Sequence, residues 1–280
     1  YEIHLYDLAA EKENIVAPGD GEQIEPKISG DLVVWMDKRS GDFDIRLYDI
    51  GSGKETSVAT GPGDQSFPEV SGSIVVWADN RTGEPDIAYK DISSGKTKTL
   101  AKPGIQTDPG VYGNSIVYLN NHTDINLYDI ATGVEYTLAP GVIKMEPAIG
   151  ERGVVWTEYR RGADDPDIQM FDREILADIP ITSGPYNHTN PSISGDSIVW
   201  TDDSKGHFNV YLYNISTGER LSINDSDFDH SSPDISGRNV IWTDRSTGVL
   251  NVFLYNLDTK KTRQITSGST DSRYAMIDGS

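Results

Sequence analysis

One unit of about 40 residues runs from end to end of this chain, and it leaves little choice of fold. Its clearest copy is Ser29 to Ile50, SGDLVVWMDKRSGDFDIRLYDI. It returns from Ser71, Ser194 and Ser236, and in looser form from Gly113 and Arg152. Three markers set the register. Proline recurs at Pro26, Pro68, Pro109, Pro147, Pro191 and Pro233, at spacings of 42, 41, 38, 44 and 42. An aromatic follows each proline nine residues on, at Trp35, Trp77, Tyr118, Trp156, Trp200 and Trp242. A third marker, Asp or Asn followed by Ile or Val, opens at Asp44, Asp86, Asp124, Asp167, Asn209 and Asn251. A period near 40 made of several short apolar runs is the pattern of propeller blades. No stretch has helical periodicity.

Each unit reads as four strands: A around the proline (Glu25–Ser29), B the Val-Val-Trp run (Leu32–Met36), C at Asp44–Asp49 and D at Glu55–Ala59. Strand B is continuously apolar, as strands covered on both faces are. Proline cannot donate to a central ladder, so strand A belongs at an edge, against the channel of a propeller. Glycines at the A–B, B–C and C–D junctions mark hairpin turns.

The chain opens with EIHLYDL, a strand C, then a strand D at Asn14–Ala17, and closes with RYAMIDGS, a strand A. The expected architecture is therefore all-β, a seven-bladed propeller of four-stranded antiparallel blades forming a single domain over residues 1–280. Its split seventh blade takes residues 1–18 and 272–280, and the others start near 24, 65, 106, 144, 189 and 230. Closing a ring with both termini removes open edges. The missing strand B is expected upstream of Tyr1, in a longer multidomain chain. The alternative is a six-bladed ring with decorated ends.

These residues resemble the TolB-type propeller repeat, and more closely the propeller repeats of archaeal, methanogen-type surface-layer and cell-surface proteins. The chain departs from the TolB pattern in its S-G-D turn and in its strand-B Trp. The resemblance implies a secreted module for adhesion, surface-layer structure or cell contact.

The formal charge of −20 argues against nucleic acid and anionic membranes as partners. No apolar run reaches the ~18 residues of a membrane span. Cysteine is absent, which removes thiolate chemistry and disulfides. N-x-S/T sequons at Asn80, Asn121, Asn187, Asn214 and Asn224 fit an extracellular location.

Two sets of residues are candidates for function. In the B–C hairpins, Asp37, Arg39, Gly41 and Asp44 recur as Asp79, Arg81, Gly83 and Asp86, with an echo in Glu158, Arg160, Gly162 and Asp167. Repetition suits turn-holding better than ligand capture, because a site needs asymmetry. The D–A segments are where the repeats diverge. Three residues before each proline stand Gln23, Gln65, Gln106, Lys144, His188 and His230, with Ser272 at the seventh equivalent. They are expected to form a ligand-binding rim at the channel mouth. Adjacent stand Glu25, Phe67, Asp108, Glu146, Asn190, Ser232 and Tyr274. His188, His230 and Asp229 are a candidate transition-metal set. Asp225, Asp227 and Asp229 open like a calcium loop but lack its Gly and Glu, and Asp164, Asp165 and Asp167 form a similar cluster. No cofactor is implied beyond such calcium.

No catalytic motif appears. The function expected is a non-catalytic extracellular or cell-surface module that binds protein or glycan or builds a surface layer. The alternatives are a carbohydrate-active propeller enzyme (lyase or glycosidase) and a periplasmic TolB-like adaptor.

Overall fold

The computed structural model of the chain describes residues 1–159, 166–224 and 226–279, and those residues are all-β, with no helix among them. They form six four-stranded antiparallel sheets and one two-stranded sheet, each four-stranded sheet in the order A-B-C-D. In blade 1 these strands are Gln23–Ser29, Leu32–Asp37, Asp44–Asp49 and Lys54–Ala59. Strands A of the other blades begin at Gln65, Gln106, Lys144, His188 and His230. The chain divides into two compact units, Tyr1–Pro109 and Gly110–Ser280.

Strand A lies at a sheet edge in all six blades, as its proline requires. The ladder skips there: in blade 1, Ile24 pairs with Met36 and Lys27 with Val34, so three steps on A meet two on B. That is a β-bulge. It is made by the residue before the proline, which is left-handed in every blade: Glu25, Phe67, Asp108, Glu146, Asn190 and Ser232 have φ between 49° and 56°. In the A–B turn that follows, Gly30 takes φ 55°, a value L residues adopt only at a cost.

In the first unit, alternate residues of strand B serve opposite faces. Val33 and Trp35 pack with Ile3, Val16 and Ala17 of the two-stranded sheet, whereas Val34 and Met36 pack with Val75 and Trp77 of blade 2. Both faces are covered, which explains the unbroken Val-Val-Trp run. The second unit repeats the scheme. Val117 and Leu119 meet Trp156, Val155 and Met170 meet Trp200, and Val199 and Leu212 meet Trp242.

The seventh blade is not completed, and six full blades form, as in the alternative. The N-terminal segment gives only strands C (Ile3–Asp7) and D (Lys12–Ala17). The C-terminal segment keeps the local marks of strand A. The Ser272 N–H donates to the Leu250 carbonyl at 2.8 Å, the Ile277 N–H donates to Asp234 Oδ2 at 2.9 Å, and Tyr274 is left-handed with φ 55°. It forms no strand, because the described residues supply no strand B to pair with it.

Candidate functional site

The six residues expected at an open rim are all buried, at 0–4% exposure. Each begins a strand A, and its backbone fixes its place. The N–H of Gln65 donates to the Phe43 carbonyl, and that of Gln106 to Pro85. In the second unit the same bond runs from Lys144 to His122, His188 to Pro166 and His230 to Phe208. Each acceptor lies in the B–C hairpin of the preceding blade, so this residue ties two blades together.

In five blades it stands opposite the acid that ends strand B. The ladder pairs Gln23 with Asp37, Gln65 with Asp79, Lys144 with Glu158, His188 with Asp202 and His230 with Asp244. The same acid holds the strand-B tryptophan: Trp35 Nε1 donates to Asp37 at 3.0 Å, Trp77 to Asp79 at 3.3 Å, Trp156 to Glu158 at 3.2 Å and Trp242 to Asp244 at 3.3 Å.

The local solutions differ. Gln65 and Gln106 turn Nε2 back to the carbonyls of Gly63 and Gly104, at 2.7 and 2.6 Å. Both amide atoms of Gln23 are buried without a partner. Lys144 Nζ donates to the Thr123 and Val142 carbonyls at 2.8 and 3.0 Å and lies 3.8 Å from Glu158. His188 places Nε2 3.3 Å from Asp202 and Nδ1 3.3 Å from Asp167. His230 sets Nε2 3.5 Å from Asp244 and Nδ1 3.0 Å from the Phe208 carbonyl. Burial opposes the charge on Asp202, yet hydrogen bonds from His188 and Ser204 bring its carboxyl down to about 2. Arg220 of strand D also contacts Asp202 and lies over the Trp200 ring.

The B–C hairpin residues hold their own turns. Asp37 accepts from the backbone N–H and Nε of Arg39, and the guanidinium continues to Glu55 at 2.5 Å. Asp79 and Arg81 repeat the first part of this. Burial works against the Asp37 carboxylate, but these hydrogen bonds carry its pKa below the ordinary value. Arg160, Gly162, Asp164 and Asp165 lie outside the described residues.

The set His188, His230 and Asp229 lies within the described residues, whereas the two acidic clusters reach outside them. His188 and His230 are each engaged within their own surroundings, as above. Asp229 is exposed, accepts from the Phe208 N–H at 2.9 Å and lies 3.8 Å from His207. Asp227 is exposed, and Asp225 lies outside the described residues. Among the described residues no three His, Asp or Glu side chains are grouped as metal ligands.

Several of the left-handed bulge residues carry polar side chains with charged or hydrogen-bonding neighbours. In the first unit Glu25 is pushed above the ordinary glutamate value, first by burial and then by Asp108 and Glu69, against the opposing pull of Lys27. Lys27 Nζ lies 2.5 Å from Glu69. In the second unit Glu146 accepts from the Asn190 N–H at 2.7 Å, from its side-chain amide at 2.8 Å and from Thr157 Oγ1 at 2.8 Å. Sequence reasoning flagged these positions for their variety. The constant separation of 14 residues between 23 and 37, 65 and 79, 144 and 158, 188 and 202, and 230 and 244 was the overlooked signal for the pairs.

The fold has counterparts among solved structures. TolB from Acinetobacter baumannii aligns over 89% of this chain and 67% of its own, at 17% identity and a TM-score of 0.62. The fold is a TolB-like β-propeller. An oligogalacturonate lyase in complex with manganese aligns over 91% of this chain and 82% of its own, at 13% identity and a TM-score of 0.66. A puromycin-hydrolyzing peptidase of Mycobacterium tuberculosis reaches a TM-score of 0.71 at 13% identity, and there the chain spans 48% of the other's length. No family model matches the chain, and no curated protein matches it in sequence. Such identities speak for the fold alone, which hosts unrelated activities.

Proposed function

We propose that this chain is a non-catalytic propeller module of the cell surface, presenting its loops to a protein or glycan partner. One observation carries the reading. The polar residues that open strand A are buried, and their backbone N–H groups tie one blade to the next. Function is thereby left to the variable loops. The acidity, with a formal charge of −20, and the five sequons support an exported location.

The second reading is a carbohydrate-active enzyme. Glu25 favours it, a carboxyl held above its ordinary value beside Asp108 and Glu69, as catalytic acids are. One experiment separates them. The purified chain is screened for turnover of acidic and neutral polysaccharides and, in parallel, for binding on glycan and peptide arrays. The module reading expects binding without turnover. Turnover that disappears in Glu25→Gln would replace it with the enzyme. Surface labelling of intact cells checks the location, and protection of the protein from the label would contradict it.

A further inference from the structure

The D–A loops are of two kinds. Two residues before the start of strand A stand Gly21, Gly63 and Gly104 in blades 1, 2 and 3. In blades 4, 5 and 6 the same position holds Val142, Tyr186 and Phe228, exposed at 42%, 43% and 47%. Ile143 and Met145, at 55% and 44%, extend the set on blade 4. Gly21, Gly63 and Gly104 take positive φ of 133°, 77° and 93°, a backbone that favours glycine. A Cβ on Gly21 would come 2.8 Å from Arg39 Cγ, and one on Gly63 would come 2.8 Å from the Asn80 carbonyl oxygen. The large side chains of the second unit are under no such constraint, and consecutive blades still leave them in water. Large apolar side chains left exposed at one position of consecutive blades are candidates for a surface that a partner covers.

We propose that the D–A loops of blades 4 to 6 are a docking face for a protein segment with apolar anchors flanked by lysine or arginine. This rests on the module reading above and names its partner. Val142, Ile143 and Met145 are aliphatic, which suits an apolar side chain better than the flat face of a sugar. Phe228 stands between Asp227 and Asp229, both exposed. The chain's charge of −20 adds a long-range pull on a basic segment and repels a second copy of itself.

The test uses a random 12-residue peptide library displayed on phage, selected on the whole chain. Selected peptides are then titrated calorimetrically against the chain and against the combined variant Val142→Gly, Tyr186→Gly, Phe228→Gly, which installs the residue of blades 1 to 3. A serine version of the variant guards against loosened loops, and thermal unfolding checks that both remain folded. The expected result is enrichment of apolar peptides rich in Lys or Arg, tenfold or greater weakening in both variants, and weakening with salt. Four results would overturn the proposal: no enrichment, enrichment of acidic peptides, unchanged affinity in both variants, or a dimer in sedimentation that the variants abolish. Glycan-array binding lost in the variants would move the face to a sugar partner. Peptides that bind both variants unchanged remove this face while leaving the module reading intact, whereas polysaccharide turnover overturns that reading itself.

Discussion

Replacing Asp202 by Asn tests the buried pairs most directly. The carboxylate has no exposed side-chain surface, receives the Ser204 N–H at 2.8 Å and lies 3.3 Å from His188 Nε2. Its pKa falls from an ordinary 3.8 to about 2. At about 1.36 kcal/mol per pH unit, that difference is worth about 2.5 kcal/mol of stability at neutral pH. The sign follows from the direction. A carboxyl with a lowered folded pKa stabilises fully above its unfolded value and loses that contribution as pH falls through the folded one. Between pH 6 and pH 3 about 1 kcal/mol of it should vanish, and the rest below pH 3, most of it by pH 2. Asparagine keeps the shape (blade 3 has Asn120 at the equivalent position) but cannot titrate. Urea unfolding of both proteins at pH 6, 5, 4 and 3 should therefore show the gap between them shrinking by about 1 kcal/mol. Other acids titrate in both proteins and cancel. A gap that stays constant, or widens toward pH 3, would refute the argument that Asp202 is held charged in the folded chain.

Lys144→Met removes the ammonium facing the buried Glu158 and should cost about 3–5 kcal/mol in urea unfolding. Lys144→Gln with Glu158→Asp, the pair that blades 1 and 2 use, should recover most of it, and an equal loss would count against the pairing. Glu25 has a raised folded pKa, so its ionisation opposes folding. Glu25→Gln should gain stability relative to the parent as pH rises from 4 to 7, and a flat difference over that range would contradict the assigned environment. Phe67 is left-handed with φ 52°. Phe67→Val should lower stability by roughly 1–2 kcal/mol in thermal unfolding while Phe67→Gly does not, because a β-branched side chain tolerates that backbone worst.

Much of the fold was readable because the repeat states each structural need six times over. The Val-Val-Trp run appears in a strand covered on both faces, and the proline appears where strand A is an edge. The seventh blade forms only in part. The terminal segments carry the right residues, and Tyr274 even takes the bulge conformation, but a strand exists only when a neighbour completes its ladder. The polar starts of strand A were misplaced for a different reason. Gln, Lys and His are usually exposed, so polarity argued for a rim. Their burial depends on a partner across the A–B hairpin, and only the fixed separation from the strand-B acid announces it.

That acid also shows why the loops fall into two kinds. Two residues beyond it, blades 1 and 2 place Arg39 and Arg81, and these lie against Gly21 and Gly63. Blades 5 and 6 place Ser204 and Ser246 there instead, each closing its turn with a backbone N–H to Asp202 or Asp244 at 2.8 and 2.9 Å. The loops that lead into strand A of these blades carry Tyr186 and Phe228. In these four blades a large residue after the acid accompanies glycine on the loop before strand A, and a small one accompanies an aromatic. Filling space would be satisfied by burying the aromatic, yet Tyr186 and Phe228 remain nearly half exposed. Packing therefore explains why blades 5 and 6 can carry an aromatic at this position but not why it faces water, and that remainder is what a binding partner would account for.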